Sequence, residues 1–181
     1  PVDMDPIIEL ATKYGLYIIE DAAEVHGAEY LTKINNKTTE WKRCGGFGHI
    51  STFSFYANKI ITTGEGGMVL TNDESFAEKA RSLRNLCFRP ERRFFHTDFG
   101  NNFRLTNIQA AIGLAQLERI QEIINKKIAI GKTYTSFLSD IDFITLQPEK
   151  SWAKHVYWMF ALVVSEESGF DAMTLAKALR K

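Results

Sequence analysis

The chain has 181 residues, of which 45% are hydrophobic and 24% charged, which is ordinary for a soluble globular protein with a sizeable core. Its 22 basic residues balance 22 acidic ones, so the net charge of zero argues against a nucleic-acid or anionic-membrane footprint. The sequence has no apolar run near the roughly 20 residues that span a bilayer and no signal-peptide pattern, and its two distant cysteines favour free thiols in the cytoplasm.

The first residues predict an α/β unit. A helix is expected from Asp5 to Gly15, with Asp5 as its cap and Gly15 at its end. The apolar run 16–19 then predicts a short buried strand, which ends in the acidic pair Glu20 and Asp21. A helix followed by a continuous apolar strand is typical of a parallel α/β sheet.

The remaining elements follow from the same kinds of pattern. The sequence predicts a surface loop at 31–48, strands at 49–55 and 68–70, a helix at 73–85, an irregular loop at 88–100 and a long helix from Thr106 to about 127. Gln109 completes a capping box with Thr106. Beyond about residue 140 the texture changes, and strands are expected at 143–144 and 155–164.

These patterns divide the chain into two expected domains. Residues 1–140 belong to a large domain with its long connecting helix, and residues 141–181 begin a small C-terminal domain. The chain begins at Pro1 rather than at a methionine, and it stops at Lys181 inside a predicted helix. We therefore expect a fragment.

Three polar side chains lie where an α/β sheet binds ligands. Asp21 follows a buried strand, and ligands of open α/β sheets bind at the carboxyl ends of strands. Ser54 ends another strand, and Lys59 lies in the apolar, glycine-containing turn after it. A desolvated lysine has a lowered pKa and can act as a nucleophilic amine, and a serine can donate to a phosphate. Taken singly, a turn aspartate and a surface lysine are the better interpretations.

Taken together, the three residues fit a pyridoxal phosphate site. Such a site needs a lysine for the Schiff base, a carboxylate that keeps the pyridine nitrogen protonated, and a group that holds the phosphate. The protonated ring then serves as an electron sink.

Three separated stretches carry a family resemblance. They are EDAAEVHGA at 20–28, SFYANKIITTGEGGMVLTND at 54–73 and GNNFRLTNIQAA at 100–111. In this order they closely resemble the sugar-nucleotide aminotransferases of the DegT/DnrJ group, which are fold-type I pyridoxal phosphate enzymes. The resemblance implies an α/β fold, with a mostly parallel, helix-flanked sheet in the large domain and the start of a small C-terminal α/β domain.

The resemblance also assigns roles by position. Lys59 matches the catalytic, cofactor-bound lysine, Asp21 the aspartate at the pyridine nitrogen, and Glu24 the residue beside the ring's 3-hydroxyl. Ser54 matches the phosphate-binding serine, and Asn102 resembles an asparagine that reaches the phosphate of the neighbouring subunit's cofactor. A homodimer with shared active sites is therefore implied. Family members also carry an earlier phosphate-binding segment and extend further at the carboxyl end.

The implied activity is transfer of an amino group from L-glutamate to a nucleotide-linked 4-keto-6-deoxy sugar, for surface polysaccharide biosynthesis. Within the family, the wording of 58–67, 84–87, 90–93 and 156–159 is most like the perosamine synthases, whose substrate is GDP-linked. A UDP- or dTDP-linked keto sugar stays open. No metal, nucleic-acid or membrane partner is expected.

Two other functions were weighed. Sugar dehydratases of the same fold replace the lysine with histidine, so Lys59 favours amino transfer. A regulatory relative would lose the lysine or the aspartate, or add a DNA-binding unit, and both residues are present here.

Other signals carry less. The glycine-rich run 44–48 precedes a strand rather than a helix, so it is interpreted as a turn and not as a phosphate loop. The four histidines have no metal-ligand spacing, although His26 and His155 could line a pocket. Arginines in the 88–99 stretch suit a diphosphate, yet solvated loop arginines are the default interpretation.

Overall fold

The computed structural model describes residues 1–35 and 38–180. The helices are α1 Met4–Tyr14, α2 Glu74–Arg84, α3 Asn107–Leu117, α4 Ile120–Leu138 and α5 Ala172–Leu179. The strands are β1 Ile19–Asp21, β2 Glu29–Asn35, β3 Thr38–Arg43, β4 Ile50–Ser54, β5 Gly67–Leu70, β6 Phe88–Arg89, β7 Arg92–His96, β8 Ile144–Leu146, β9 Ala153–Lys154 and β10 Leu162–Val164. Within the described ranges, every helix is too short or too polar to cross a membrane.

The first helix ends as predicted but begins differently. Gly15 closes α1 in the left-handed conformation, with φ of 62°, which glycine adopts at little cost. The residue before the helix is Asp3, so the predicted capping role of Asp5 is wrong. The Asp5 carboxylate instead accepts hydrogen bonds from the Thr32 hydroxyl at 2.7 Å and the Lys33 amide at 3.2 Å. These bonds tie α1 to β2.

The sheet that positions the site has the order β1–β4–β5. β1 and β4 are parallel, with Asp21 opposite Thr52, whereas β5 runs antiparallel to β4. The strand begins at Ile19 rather than at residue 16, because the Leu16 amide donates to Ala11 at the end of α1. Since parallel strands end at the same edge, Asp21 and Ser54 lie at one edge of the sheet.

The predicted surface loop at 31–48 is wrong in the described residues, and its residues 36–37 lie outside them. β2 and β3 form an antiparallel hairpin, and β9 pairs with the other side of β2. Every residue of β3 is exposed, so the hairpin has a polar composition that resembles a loop. Backbone pairing, which the side-chain pattern does not reveal, decides this element.

The glycine-rich run 44–48 is a turn, as predicted, and its donors are already occupied. The Glu20 carboxylate accepts hydrogen bonds from the amides of Gly45 at 2.8 Å, Phe47 at 2.5 Å and Gly48 at 2.5 Å. An internal carboxylate therefore takes the place that an anion would need in a phosphate loop.

Replacing Glu20 with alanine is expected to lower the free energy of unfolding by about 3 kcal/mol, because three amides would lose a charge-assisted partner. Urea denaturation followed by circular dichroism measures the change. Glu78→Ala is the matched control, since Glu78 is exposed on α2 without a partner in the described structure. Equal stability of the two variants would contradict the assigned role of Glu20.

The stretch 88–100 is more ordered than the predicted irregular loop. β6 and β7 pair across a tight turn, with Phe88 opposite His96. Leu86 and Cys87 precede this hairpin in the left-handed conformation, with φ of 62° and 51°. Asn85 and Asn102 form an isolated bridge at its base.

The predicted long helix is two helices. Thr106 and Gln109 form the expected capping box at the start of α3, which confirms that prediction. The chain then leaves helical geometry at Arg119, whose φ and ψ are −109° and 10°, before α4 begins. The apolar spacing continues through this break, so the sequence pattern alone did not reveal it.

The carboxyl-terminal part carries an antiparallel pair of β8 with β10 and then α5. The strand predicted at 155–164 is correct only over β10, because Tyr157 takes a left-handed backbone with φ of 50°. Lys181, predicted to lie in a helix, is outside the described residues.

Candidate active site

Lys59 lies in the turn between β4 and β5, and its neighbours fix it. The turn begins with a hydrogen bond from the Lys59 amide to the Tyr56 carbonyl at 3.0 Å. The next two residues, Ile60 and Ile61, are buried in a core cluster with Ala28, Ile124 and Val156. Burial of this pair limits the freedom of the lysine backbone.

The Lys59 side chain points inward, contrary to the surface interpretation. Its side chain is 10% exposed, and its Nζ lies 3.2 Å from the Glu24 carboxylate. On another side, Nζ lies 3.9 Å from the centre of the Trp158 ring, a cation–π distance. The amine is thus held by one carboxylate and one aromatic face.

Helix α3 holds the rest of the turn. The Gln116 side chain accepts from the Thr62 amide at 3.2 Å and donates to the Thr62 carbonyl at 2.5 Å. Gln109 donates to the Glu65 carbonyl at 3.0 Å. Sequence analysis missed Gln116, since a glutamine on a helix carries no motif of its own.

Asp21 and Ser54 each retain hydrogen-bonding capacity at the sheet edge. One Asp21 oxygen accepts from the Ala23 amide at 3.1 Å, and the other has no partner in the described structure. The Ser54 hydroxyl oxygen accepts from the Tyr56 amide at 3.2 Å, which leaves its O–H free to donate.

Asn102 lies apart from the other predicted site residues. Its side-chain oxygen accepts from the Arg104 guanidinium at 2.9 Å, and its backbone bridges to Asn85. Within the described residues, no hydrogen bond or ion pair joins Asn102 to Lys59, Asp21 or Ser54. The structure therefore brings Glu24 to Lys59 but does not bring Asn102 to them in one subunit.

His26 is buried beneath β4 rather than exposed in a pocket. Its ring centre lies 5.3 Å from Phe53 and 5.9 Å from Phe55, and neither ring nitrogen has a hydrogen-bond partner in the described structure. Burial, and then the charge of Lys59, lower the pKa of His26, and the Ser54 backbone opposes part of that shift. A neutral imidazole follows at neutral pH.

Trp158 is the main residue that sequence analysis did not place in the site. Its indole N–H donates to the Asn58 carbonyl at 2.8 Å, and its ring face contacts the Lys59 amine. It joins the turn from 100 residues further along the chain. A lone tryptophan gives no signal of such a contact, so only the tertiary structure reveals it.

Cysteine chemistry is not favoured at this site. Burial raises the pKa of the Cys44 thiol to about 11, so it stays protonated at neutral pH. Cys87 is buried, and neither residue forms a disulfide.

Comparison with known proteins gives consistent matches. The sequence profile of the DegT/DnrJ/EryC1/StrS aminotransferase family matches residues 1–181. A GDP-perosamine synthase of Caulobacter vibrioides is 44% identical over 91% of this chain, and one of Escherichia coli O157:H7 is 40% identical over 90%. The chain spans 42% of the length of each relative.

The structure is also similar to that of Helicobacter pylori PseC, described as an aminotransferase involved in the biosynthesis of pseudoaminic acid. The two superpose with a TM-score of 0.81 at 30% identity, over 92% of this chain and 43% of PseC. This likeness confirms the expected fold class.

Proposed function

Because the chain belongs to the DegT/DnrJ/EryC1/StrS aminotransferase family, we propose that it carries the lysine side of a pyridoxal phosphate site that moves an amino group from L-glutamate to a nucleotide-linked 4-keto-6-deoxy sugar. One observation carries this proposal. The Lys59 amine is held between Glu24 and Trp158 in the turn that follows β4, the strand whose end lies beside Asp21.

The side chains present fit the cofactor chemically. Pyridoxal phosphate has an aldehyde, a pyridine nitrogen and a phosphate. Lys59 supplies an amine for the aldehyde, the free Asp21 oxygen can hold a proton on the ring nitrogen, and the Ser54 O–H can donate to the phosphate. Glu24 offers a carboxylate beside the amine.

Each residue then has a defined task. When bound, the cofactor supplies an electron sink for the carbanion formed at the substrate carbon. Asp21 keeps the ring nitrogen protonated, because a nearby negative charge favours the charged form. Lys59 holds the cofactor covalently and, once the amino donor has displaced it, takes a proton from the donor carbon and returns it. Glu24 and Trp158 hold the Lys59 side chain within reach.

The relatives and the lysine favour one acceptor and one reaction. The two relatives are named GDP-perosamine synthases, so a GDP-linked 4-keto-6-deoxymannose is the proposed acceptor, within surface polysaccharide biosynthesis in the cytoplasm. Lys59, in place of a histidine, disfavours a dehydratase. The presence of both Lys59 and Asp21 disfavours a non-catalytic relative.

The proposal includes the wider organisation of the enzyme. Residues 1–140 belong to the cofactor-binding large domain, and residues 141–181 begin the small one. Asn102 serves the cofactor phosphate of a second subunit in a homodimer, which agrees with its separation from Lys59 within one chain.

An absorbance experiment tests the function. Purified protein mixed with pyridoxal phosphate should show the band of lysine-bound cofactor, and L-glutamate should convert it to the amine form of the cofactor. The keto sugar should restore the first band. A protein that binds no cofactor, or whose spectrum ignores glutamate, would contradict the proposal.

Trp158→Ala is expected to weaken pyridoxal phosphate binding about tenfold, because the variant loses both the hydrogen bond to Asn58 and the ring face beside Lys59. Trp158→Phe keeps a ring face and should fall in between. Borohydride trapping of cofactor on Lys59, followed by peptide mass spectrometry, measures occupancy, and hydrogen exchange of residues 56–62 measures turn order.

Trp41→Ala is the matched control, since Trp41 lies on β3 with its own cation contact from Lys154. If Trp158→Phe lost as much occupancy as Trp158→Ala, the ring face would have no role. If neither variant changed occupancy or exchange, Trp158 would not position Lys59.

A further inference from the structure

Residues 84–104, here named the arginine hairpin, concentrate positive charge that the rest of the chain does not show. The segment contains five arginines and two acidic residues, although the whole chain has no net charge. The β6–β7 pair forms its centre, and Arg89, Arg92 and Arg93 lie on these two strands. Arg84 and Arg104 flank it, and all five arginines are exposed.

These arginines have no acidic partners. In the described structure none of the five lies within 4.0 Å of a carboxylate oxygen. Nearby cations do find partners: Lys79 pairs with Asp98 at 2.6 Å, which also removes one of the two local carboxylates. The guanidinium groups are therefore free to receive an external anion.

Three of the arginines converge on one surface depression. Its lining consists of Asn85, Phe88, Arg89, Pro90, Arg93 and Arg104. Guanidinium groups form paired hydrogen bonds to phosphate oxygens, and several in one depression match a diphosphate better than a single negative charge.

Aromatic rings hold the guanidinium groups in place. The Arg89 and Arg92 groups lie 5.5 Å and 5.2 Å from the centre of the Phe95 ring, and the Arg93 group lies 5.6 Å from that of Phe94. Ring contacts of this kind reduce the entropy lost when an arginine binds an anion.

The same surface exposes large aromatic faces. Phe94 is 81% exposed, Phe99 83% and Phe103 74%. An aromatic face beside a phosphate-binding cation is the arrangement on which proteins stack nucleobases. Charge and stacking together fit a nucleoside diphosphate.

The backbone at the base of the hairpin is strained and tightly held. Leu86 and Cys87 both have positive φ, which is costly for residues other than glycine. A Cβ on Gly100 would lie 2.6 Å from the Cys87 nitrogen, so the two strands of backbone touch there. Strain of this kind persists where the surroundings enforce it and is common at ligand sites.

The arginine hairpin also adjoins the lysine turn. Arg104 precedes Leu105, whose side chain reaches Gly66 in that turn: a Cβ on Gly66 would lie 3.0 Å from it. Four residues later, Gln109 bonds the Glu65 carbonyl. A ligand in the depression would therefore be anchored on the segment that supports Lys59.

From these observations we propose that the arginine hairpin binds the diphosphate and base of a nucleoside diphosphate, with Arg89, Arg93 and Arg104 on the phosphates and exposed phenylalanine rings on the base. This inference rests on the proposed function, because it names where the sugar nucleotide is held. The charge is confined to one short segment of a neutral chain, which fits a small anion rather than a nucleic acid.

Titration calorimetry of the purified protein without pyridoxal phosphate tests the site, with GDP, GMP and guanosine as probes. Affinity should fall in that order, because each step removes a phosphate. Arg93→Gln should weaken GDP binding about tenfold or more, and guanosine binding much less. Arg93→Lys, which keeps the charge but not the paired donors, should be intermediate.

Arg180→Gln is the matched control, since it removes the same charge at the end of α5, and thermal unfolding checks that each variant folds. The site is overturned if GDP does not bind, or if Arg180→Gln weakens GDP as much as Arg93→Gln does. It is also overturned if Arg93→Gln changes only dimerisation in sedimentation, or if an oligothymidylate binds more tightly than GDP.

The absorbance experiment on the same preparations separates this inference from the proposed function. Normal cofactor and glutamate spectra with unchanged GDP affinity in the Arg93 variants would refute the site and leave the function. GDP binding that depends on Arg93, in a protein whose spectrum ignores cofactor and glutamate, would refute the function and leave a nucleotide site.

Discussion

Lys59→Ala should abolish amino transfer, lowering its rate by at least about 10³-fold, because this amine is both the attachment point of the cofactor and the proton carrier. The turn itself should survive. Ile60 and Ile61 remain in the core, and the bonds from Gln116 to Thr62 do not involve the lysine side chain.

The measurements are the rate of glutamate-dependent amine formation and the absorbance of the protein with pyridoxal phosphate. The variant should show only free cofactor, without the lysine-bound band. Its free energy of unfolding should change by less than about 1 kcal/mol, since the lost pair involves Glu24, which is 55% exposed.

Lys132→Ala serves as the control, because Lys132 is an exposed lysine on α4 without a partner in the described structure. Methylamine added to Lys59→Ala should restore a small part of the proton transfer. A Lys59→Ala protein with near-normal turnover would show that another group performs the chemistry and would overturn the proposed function.

Asp21→Asn should leave cofactor attachment largely intact and slow amino transfer about 10²- to 10⁴-fold. Asparagine can keep the hydrogen bond that Asp21 accepts from the Ala23 amide, so the local turn should stay folded. An uncharged amide cannot hold a proton on the pyridine nitrogen, so the electron sink weakens although the cofactor is present.

The readout that separates this role from a structural one combines occupancy and rate. Borohydride trapping should find cofactor on Lys59 in Asp21→Asn, while the glutamate-driven spectral change becomes slow. Asp142→Asn, a change at an exposed aspartate near β8, is the control. Loss of trapped cofactor in step with the loss of rate would argue that Asp21 only supports the fold.

The sequence was sufficient for the elements whose signals are local. The capping box of Thr106 and Gln109, the glycine that ends α1 and the strand that ends at Ser54 all depend on neighbouring residues, and the structure contains each of them. The candidate site residues Asp21, Ser54 and Lys59 also follow strand ends, so their shared edge was predictable once the strands were parallel.

Features that depend on distant partners were not predictable in this way. The exposed β3 was mistaken for a loop because its pairing with β2 stabilises it through the backbone, and the α3–α4 break interrupts no apolar pattern. The Glu20 carboxylate fills the glycine-rich turn from 25 to 28 residues away.

By itself, then, the sequence determined the family, the α/β class and the three residues of the lysine chemistry, because short motifs and local periodicity encode them. Only the tertiary structure decided how Lys59 is held and where free arginines converge. Trp158 reaches the turn from 100 residues along the chain, and contacts between groups so far apart arise only when the folded core brings them together.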